Sequence, residues 1–139
     1  YTDADLGQFV VNLREAGPDI SVLVVPADGR VDCGTVLVDA KGQVTLFGEK
    51  TVLEESRYIN AGIYLLSRQM LYDIPDGVQT SFEHELMPSW LKRNIPAIAF
   101  VHQGACLDIG TPDRYRSAQE LLRNMEMGEE ASTAQGAQL

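Results

Sequence analysis

Apolar runs alternate with helical patterns along most of the chain. The apolar residues between Leu6 and Leu13 keep the three- and four-residue spacing of one helix face, and Gly17-Pro18 ends that pattern. The next segment, 20–26 (ISVLVVP), is continuously apolar, which is typical of a strand covered on both faces. A helix followed by a buried strand predicts an α/β layer.

Later segments predict further strands and helices. Residues 35–47 alternate apolar and polar positions around a central turn, which predicts a β-hairpin. Residues 58–67 form another apolar strand, interrupted by Asn60-Ala61-Gly62. The remaining predicted elements are a short helix over 68–74, a helix over 81–94 bent or divided at Pro88, strands over 95–102 and 105–110, and a helix that opens at Pro112.

The length of 139 residues suits one domain. From Gly128 onward the composition falls to small and polar residues, which predicts a mobile tail over 128–139. The chain begins without Met and without the basic and apolar regions of a signal peptide. We therefore expect a piece of a longer protein.

Composition narrows the classes of function. Hydrophobic residues make up 45% and charged residues 22%, as in an ordinary globular protein, and the net charge of −9 argues against nucleic-acid binding. No apolar run approaches the roughly 20 residues of a membrane-spanning helix, so we expect no membrane partner. Cys33 and Cys106 lack the spacing of a metal cluster; the two could pair, but we expect reduced thiols in a cytoplasmic protein.

Charged pairs and histidines offer the first candidate sites. Asp3-Ala4-Asp5 has the form of a metal-binding acid pair, but a capping role before a helix explains it better. Glu49-Lys50 follows a strand, where it could bind sugar hydroxyls and a phosphate or form a solvated ion pair. His84 and His102 lie far apart and outside ligand spacing, so we interpret both as structural.

Polar residues interrupt apolar segments at two places, and each of these places has two possible interpretations. Asn60-Ala61-Gly62 indicates either close approach of a ligand or a β-bulge. Asp108 lies between Leu107 and Ile109, so its carboxylate must find a metal, a cation or backbone donors. Its structural alternative is an Asx-type turn onto the amides that follow it.

Four segments, in order, resemble the C-terminal half of sugar-1-phosphate nucleotidyltransferases, nearest to the guanylyltransferases of mannose 1-phosphate or heptose 1-phosphate. The segments are CGTVLVDAKGQVTLFGEK, INAGIYLLS, SFEHELMPSWL and LDIGTPDRYRSAQELL, within a match from about Asp3 to Leu122. The resemblance implies a three-layer α/β/α sandwich with a mixed, mostly parallel sheet. It also implies transfer of a nucleoside monophosphate, from GTP by the nearest branch, to a sugar 1-phosphate, with release of pyrophosphate.

The resemblance also implies a role for six residues. By position, Gly34 lies against the sugar, Glu49 binds its hydroxyls, Lys50 binds its phosphate, Asn60 and Gly62 line its pocket, and Asp108 binds Mg²⁺. Because the sugar phosphate is itself the nucleophile, the protein has only to align two anions and offset their charge. Lys50 and Asp108 are therefore the expected catalytic residues.

The family's glycine-rich loop for the triphosphate and its first metal-binding aspartate have no counterpart here. We therefore expect residues 1–127 to be a sugar-phosphate-binding portion, inactive alone, whose open sheet edge favours a homo-oligomer. Two rival interpretations remain. One is a non-catalytic module that binds a sugar phosphate or a partner subunit, and the other is a glycosyltransferase that uses a nucleotide sugar.

Overall fold

The computed structural model describes residues 1–28, 34–48 and 58–136, without the side chains of residue 16 and of 125–136. Three residues singled out from the sequence, Cys33, Glu49 and Lys50, lie outside the described residues. The chain divides into two units. The larger unit contains residues 4–104, and the smaller contains 1–3 with 105–139.

The larger unit is built on a five-stranded mixed sheet. Its strands are β1 (Ile20–Pro26), β2 (Thr35–Val38), β3 (Val44–Gly48), β4 (Tyr58–Leu66) and β5 (Ala97–Val101). Their order across the sheet is β3-β2-β4-β1-β5. The predicted hairpin is confirmed as β2 and β3.

The α/β class and the mixed sheet are confirmed, but the balance of strand directions differs from the prediction. β1 pairs parallel with β5, whereas β1 with β4, β2 with β4 and β2 with β3 pair antiparallel. The described strands are therefore mostly antiparallel rather than mostly parallel. A short hairpin connection such as that between β2 and β3 permits only antiparallel pairing.

Helical segments precede and follow the strands along the chain. They are α1 (Leu6–Ala16), α2 (Arg68–Leu71), a π-helical segment (Phe82–Leu86), α3 (Met87–Lys92) and α4 (Pro112–Gly136). Asp5 caps α1, because its Oδ1 accepts a hydrogen bond of 2.9 Å from the amide of Gln8. The capping interpretation is thus confirmed for Asp5.

Proline divides the predicted helix over 81–94 as expected. The π-helical segment ends at Leu86, and Pro88 lies in the first turn of α3, where the missing proline N–H is tolerated. Two other helices differ in length from the prediction, since α2 ends at Leu71 and α4 continues to Gly136. Helical backbone therefore extends into the segment 128–139, and the mobility predicted for that segment stays a prediction.

The core of the larger unit lies on both faces of β1. Ile20, Val22 and Val24 belong to one buried cluster with Met87 and Trp90. On α1, the buried Phe9 packs against Phe100 of β5, with ring centroids 5.1 Å apart. Since alternate residues of a strand point to opposite faces, this unit has the layered α/β/α arrangement that the sequence predicts.

The segment around Asp108 belongs to the smaller unit. The predicted strand over 105–110 is reduced to an isolated bridge between Thr2 and Cys106. Leu107 is joined to the first residue in both directions, by hydrogen bonds of 2.8 and 2.9 Å with Tyr1. Two such short segments make a local pairing rather than a strand of the main sheet.

Candidate functional site

A bulge in β4 is the first feature of the candidate site. Val22 of β1 faces Tyr64, but Val24 faces Asn60, so one residue of β1 is opposite three of β4, residues 61–63. Gly62 has a φ of 74°, in the left-handed region that favours glycine. The bulge interpretation of Asn60-Ala61-Gly62 is thus confirmed, and the glycine is required by backbone conformation.

Asn60 forms hydrogen bonds through its backbone N–H and through both ends of its side-chain amide. Its backbone N–H donates to the carbonyl of Gly34 at 2.8 Å. Its Oδ1 accepts from the amide of Gly62 at 2.9 Å. Its Nδ2 donates to Tyr64 Oη at 2.5 Å and to Glu83 Oε1 at 2.7 Å.

Tyr64 and Glu83 complete this network. Tyr64 Oη donates to Glu83 Oε1 at 3.0 Å, so a single carboxylate oxygen accepts from both the phenol and the Asn60 amide. Burial raises the pKa of the Tyr64 phenol well above its ordinary value, and the charge of Glu83 raises it further against the opposing Asn60 hydrogen bond. The phenol is therefore protonated at neutral pH and acts as a donor to Glu83.

The π-helical segment determines where Glu83 lies. The amide of Leu86 donates across five residues to the carbonyl of Ser81 at 3.1 Å, and Ser81 Oγ accepts from the amide of His84 at 3.1 Å. The ring of Phe82 lies 4.0 Å from that of Tyr64, centroid to centroid. Helix start and ring packing together hold the Glu83 side chain beside Tyr64.

Gly34 lies beside Asn60 at the end of the hairpin. A Cβ added to Gly34 would lie 3.6 Å from Asn60 Cβ and 3.6 Å from the carbonyl oxygen of Gly48. The structure therefore brings together three of the predicted sugar-site residues, Gly34, Asn60 and Gly62. Glu49 and Lys50 were predicted to join them, and their placement lies outside the described residues.

Sequence reasoning missed Tyr64 and Glu83. Tyr64 belongs to the apolar strand in which only Asn60-Ala61-Gly62 stands out, and Glu83 lies 23 residues beyond Asn60. One available signal was Pro88, which predicts a bent or divided helix over 81–94, and π-helical turns are frequent at functional sites. That signal indicates irregular backbone but does not identify the residue that uses it.

Asp108, in the smaller unit, closes a local turn. Its Oδ1 accepts from the amide of Gly110 at 2.8 Å, and its Oδ2 forms an ion pair with Arg114. The Gly110 amide and the Arg114 guanidinium hold the pKa of the Asp108 carboxyl below its ordinary value. The Asx-type turn onto Gly110 is confirmed, and the side chain is 65% exposed.

The start of α4 follows that turn directly. Thr111 Oγ1 accepts from the amide of Arg114 at 3.3 Å, and Pro112 is the first helical residue, as the sequence predicts. Arg114 thus lies in the first turn of α4, where its guanidinium reaches the Asp108 carboxylate. The ion pair follows from local chain geometry.

The donor chemistry of Asp108 suits Mg²⁺, although other ligands are not gathered around it. Within the described ranges, no group of three or more histidine, cysteine or acidic residues could hold a metal. Mg²⁺ is usually bound by one or two carboxylates together with substrate phosphates. A single exposed carboxylate is consistent with that mode, provided that the metal replaces Arg114 at Oδ2.

Two other sequence predictions have limited outcomes. No helix within the described part of the chain is long and apolar enough to cross a membrane. Cys106 carries a half-buried thiol, and the state of its potential partner Cys33 lies outside the described residues. Homo-oligomer formation stays a prediction.

Comparison with known proteins gives matches over most of the chain. The family model described as Nucleotidyl transferase matches residues 1–125. The mannose-1-phosphate guanylyltransferase of Mycobacterium tuberculosis is 31% identical over 124 residues, which are 88% of this chain and 34% of that protein. The UTP–glucose-1-phosphate uridylyltransferase of Synechocystis is 30% identical over 125 residues, 86% of this chain and 32% of that protein.

A solved structure supports the same fold. HddC from Yersinia pseudotuberculosis is 27% identical to this chain with a TM-score of 0.71, and the match covers 88% of this chain and 51% of HddC. HddC has also been solved in complex with GMP-PN. The chain spans about a third of the length of the curated relatives it matches.

Proposed function

Because the chain belongs to the nucleotidyl transferase family, we propose that it takes part in the transfer of a nucleoside monophosphate to a sugar 1-phosphate. The products are a nucleotide sugar and pyrophosphate. We propose GTP as the donor and a mannose-type sugar 1-phosphate as the acceptor, since the Mycobacterium relative is a mannose-1-phosphate guanylyltransferase.

The cluster of Gly34, Asn60 and Gly62 carries the proposal. These residues come from different strands or strand ends and meet at the bulge of β4, with the Asn60 amide bonded to the Gly34 carbonyl. Two glycines add no side chain to this place, and Asn60 Oδ1 lies beside the Gly62 amide. Small residues around one oriented polar group are suited to a sugar ring and one of its hydroxyls.

The chemistry needs alignment and charge compensation. The sugar-phosphate oxygen attacks the α-phosphorus of the nucleoside triphosphate, the bond to the bridging oxygen breaks, and pyrophosphate leaves with that electron pair. Lys50 would hold the sugar phosphate, Glu49 would accept from its hydroxyls, and Asp108 would hold Mg²⁺ through a carboxylate oxygen. When bound, Mg²⁺ supplies positive charge that offsets the repulsion between the phosphates.

We further propose that the 139-residue chain binds the sugar phosphate but does not turn it over. Its sequence contains no glycine-rich loop followed by a basic residue to hold the triphosphate. The isolated chain should then release no pyrophosphate from GTP and mannose 1-phosphate. Pyrophosphate release at the rate of an ordinary enzyme would contradict this part of the proposal.

Calorimetric titration of the chain tests the sugar site. Mannose 1-phosphate or glucose 1-phosphate should bind more tightly than mannose or inorganic phosphate. Gly34→Ala should raise the Kd by on the order of tenfold without unfolding the chain, because the added Cβ makes ordinary contacts but would stand on the side on which we propose that the sugar binds.

Gly62 and Gly77 provide a matched pair. Both have positive φ, 74° and 67°, and a Cβ added to either meets no heavy atom within 4 Å. Gly62→Ala and Gly77→Ala therefore introduce similar backbone strain, but only the first lies at the bulge. Equal sugar-phosphate affinity in both variants, or in Gly34→Ala and the unchanged chain, would remove the site from this position.

A further inference from the structure

The hydrogen bonds around Asn60 lead beyond the residues that the sequence assigned. We propose that Glu83 is a positioning residue of the sugar site, which fixes the Asn60 amide so that Asn60 can only accept a hydrogen bond from the sugar. The proposal rests on the function proposed above for its ligand. It adds a residue of the π-helical segment to the determinants of sugar binding.

The side-chain amide of Asn60 has one hydrogen-bonding position left for a ligand. A side-chain amide has two N–H donors and an acceptor oxygen with two lone pairs. Both donors are used, one by Tyr64 Oη at 2.5 Å and one by Glu83 Oε1 at 2.7 Å. Oδ1 accepts once, from Gly62. The remaining capacity of this side chain is a single lone pair on Oδ1, which can accept from a hydroxyl.

Glu83, together with the Gly62 amide, decides which end of the Asn60 amide points in which direction. An ionised carboxylate only accepts hydrogen bonds, so a flipped amide would place Oδ1 against Glu83 Oε1, acceptor against acceptor. The Tyr64 proton cannot relieve that conflict, because Tyr64 already donates to the same Glu83 oxygen at 3.0 Å. The carboxylate therefore holds Nδ2 on its own side and leaves Oδ1 at the Gly62 amide.

The support for Glu83 is rigid enough for this role. The residue lies half-buried in the π-helical segment, whose first turn is held by Ser81. Phe82, its neighbour, packs on Tyr64 and also contacts the buried Trp90, with ring centroids 5.6 Å apart. Displacing the backbone at Glu83 would thus require repacking of aromatic rings in the core.

Glu83→Ala and Glu83→Gln separate positioning from simple stability. Alanine removes the acceptor, so one amide N–H of Asn60 loses its partner and the amide is held less firmly, with its orientation left to the Gly62 amide. Glutamine keeps a carbonyl oxygen of the same reach, which can accept from both Asn60 and Tyr64. Glu85→Ala is the control, because Glu85 is an exposed acid in the same π-helical segment.

The experiment uses the 139-residue chain and two readouts. The first is the nuclear magnetic resonance signal and hydrogen exchange of the Asn60 side-chain amide without ligand. The second is the Kd for mannose 1-phosphate by titration calorimetry. The indole N–H signal of Trp90, which donates to Asp73, reports in every variant whether the core is intact.

The expected results form a pattern that a merely structural role would not produce. Glu83→Ala should speed hydrogen exchange of the Asn60 side-chain amide. It should also raise the Kd by on the order of tenfold, which corresponds to the net free energy of about one hydrogen bond. Glu83→Gln should restore the Kd to within about threefold, and Glu85→Ala should change neither readout. Tyr64→Phe should lie between, since it removes one of the two acceptors of the Asn60 amide.

Contrary results distinguish this inference from the function on which it rests. Suppose that the chain without substitutions binds mannose 1-phosphate. If Glu83→Ala then has the same Asn60 signal and the same Kd as that chain, the inference alone is overturned. A Glu83→Gln variant as impaired as Glu83→Ala would also overturn it, since charge and not acceptor geometry would then matter. If the unchanged chain binds no sugar 1-phosphate, the proposed function and the inference both fail. If Glu83→Ala loses the Trp90 signal, the Gln and Tyr64→Phe variants decide the result.

Discussion

Asn60 and Asp108 each interrupt a run of apolar residues, and the chain holds their side chains by different means. Asn60 is half-buried and bonded to Glu83, 23 residues away, and to Tyr64. Asp108 is exposed and bonded to neighbours two and six residues away, Gly110 and Arg114. The two residues belong to different units of the chain.

This difference bears on what each side chain can do. A half-buried amide whose two N–H groups are bonded is fixed, because an unpaired polar group away from water is costly. An exposed carboxylate in an ion pair is more easily exchanged, since water can replace the lost partner. Asn60 is thus suited to orient a ligand, and Asp108 to exchange Arg114 for a metal.

The largest expected effect tests the exchangeable residue. Asp108→Asn keeps the size of the side chain and an acceptor for Gly110 but removes the charge. If Asp108 holds the metal, affinity for Mg²⁺ in the presence of sugar 1-phosphate should fall by at least on the order of a hundredfold, with no loss of folding stability. Mn²⁺ used as a paramagnetic substitute should broaden the amide signal of Gly110 in the unchanged chain and not in the variant.

Asp113→Asn is the control for that measurement. Asp113 is another exposed acid near the start of α4, paired with Arg116 at 2.7 Å. Its removal should leave both metal affinity and broadening near Gly110 as they were. Equal metal affinity in the unchanged chain and in Asp108→Asn would leave Asp108 with its turn alone.

A smaller effect compares the stability of the two regions directly. Asn60→Ala should lower the free energy of unfolding by about 1–3 kcal/mol, because the half-buried Tyr64 hydroxyl and Glu83 carboxylate each lose a hydrogen bond from the Asn60 amide. Asp108→Ala should change it little, since the Gly110 amide it leaves can bond water. Urea denaturation of both variants measures the difference, and equal losses would show that the network around Asn60 does not stabilise the fold.

The smallest effect is a dependence on alkaline pH confined to the Asn60 region. The pKa of Tyr64 is raised in the folded chain, so the folded state keeps its proton while the unfolded state loses it above about pH 10. This contribution to stability is full below the unfolded pKa and is lost as the pH rises. Between pH 8 and 11 the urea midpoint should fall less in Tyr64→Phe than in the unchanged chain.

Tyr72→Phe is the matched control for the alkaline series. Tyr72 is 79% exposed, so it lacks the burial that distinguishes Tyr64. Its replacement should leave the pH dependence unaltered. A Tyr72→Phe variant that flattened the dependence as much as Tyr64→Phe would show that burial of Tyr64 is not its cause.

Much of the fold could be predicted from residue pattern. The run at 20–26 became β1 because six of its seven residues are buried, and the alternation at 35–47 became a hairpin. Strand direction was less predictable, because local pattern is the same for parallel and antiparallel neighbours. The extent of α4 was missed because low hydrophobicity indicates a lack of packing and not a lack of helix.

The contacts of the candidate site also fall into those predictable from the sequence and those that depend on the tertiary structure. By itself the sequence determined the local contacts: the Asp5 cap, the turn from Asp108 to Gly110, and a glycine where the bulge needs a positive φ. Only the tertiary structure decided that Glu83 fixes the Asn60 amide, since nothing in the spacing of residues 60 and 83 brings them together. The physical reason is that caps and turns depend on a few consecutive dihedral angles, whereas the Asn60 network depends on how a π-helical segment packs on a sheet.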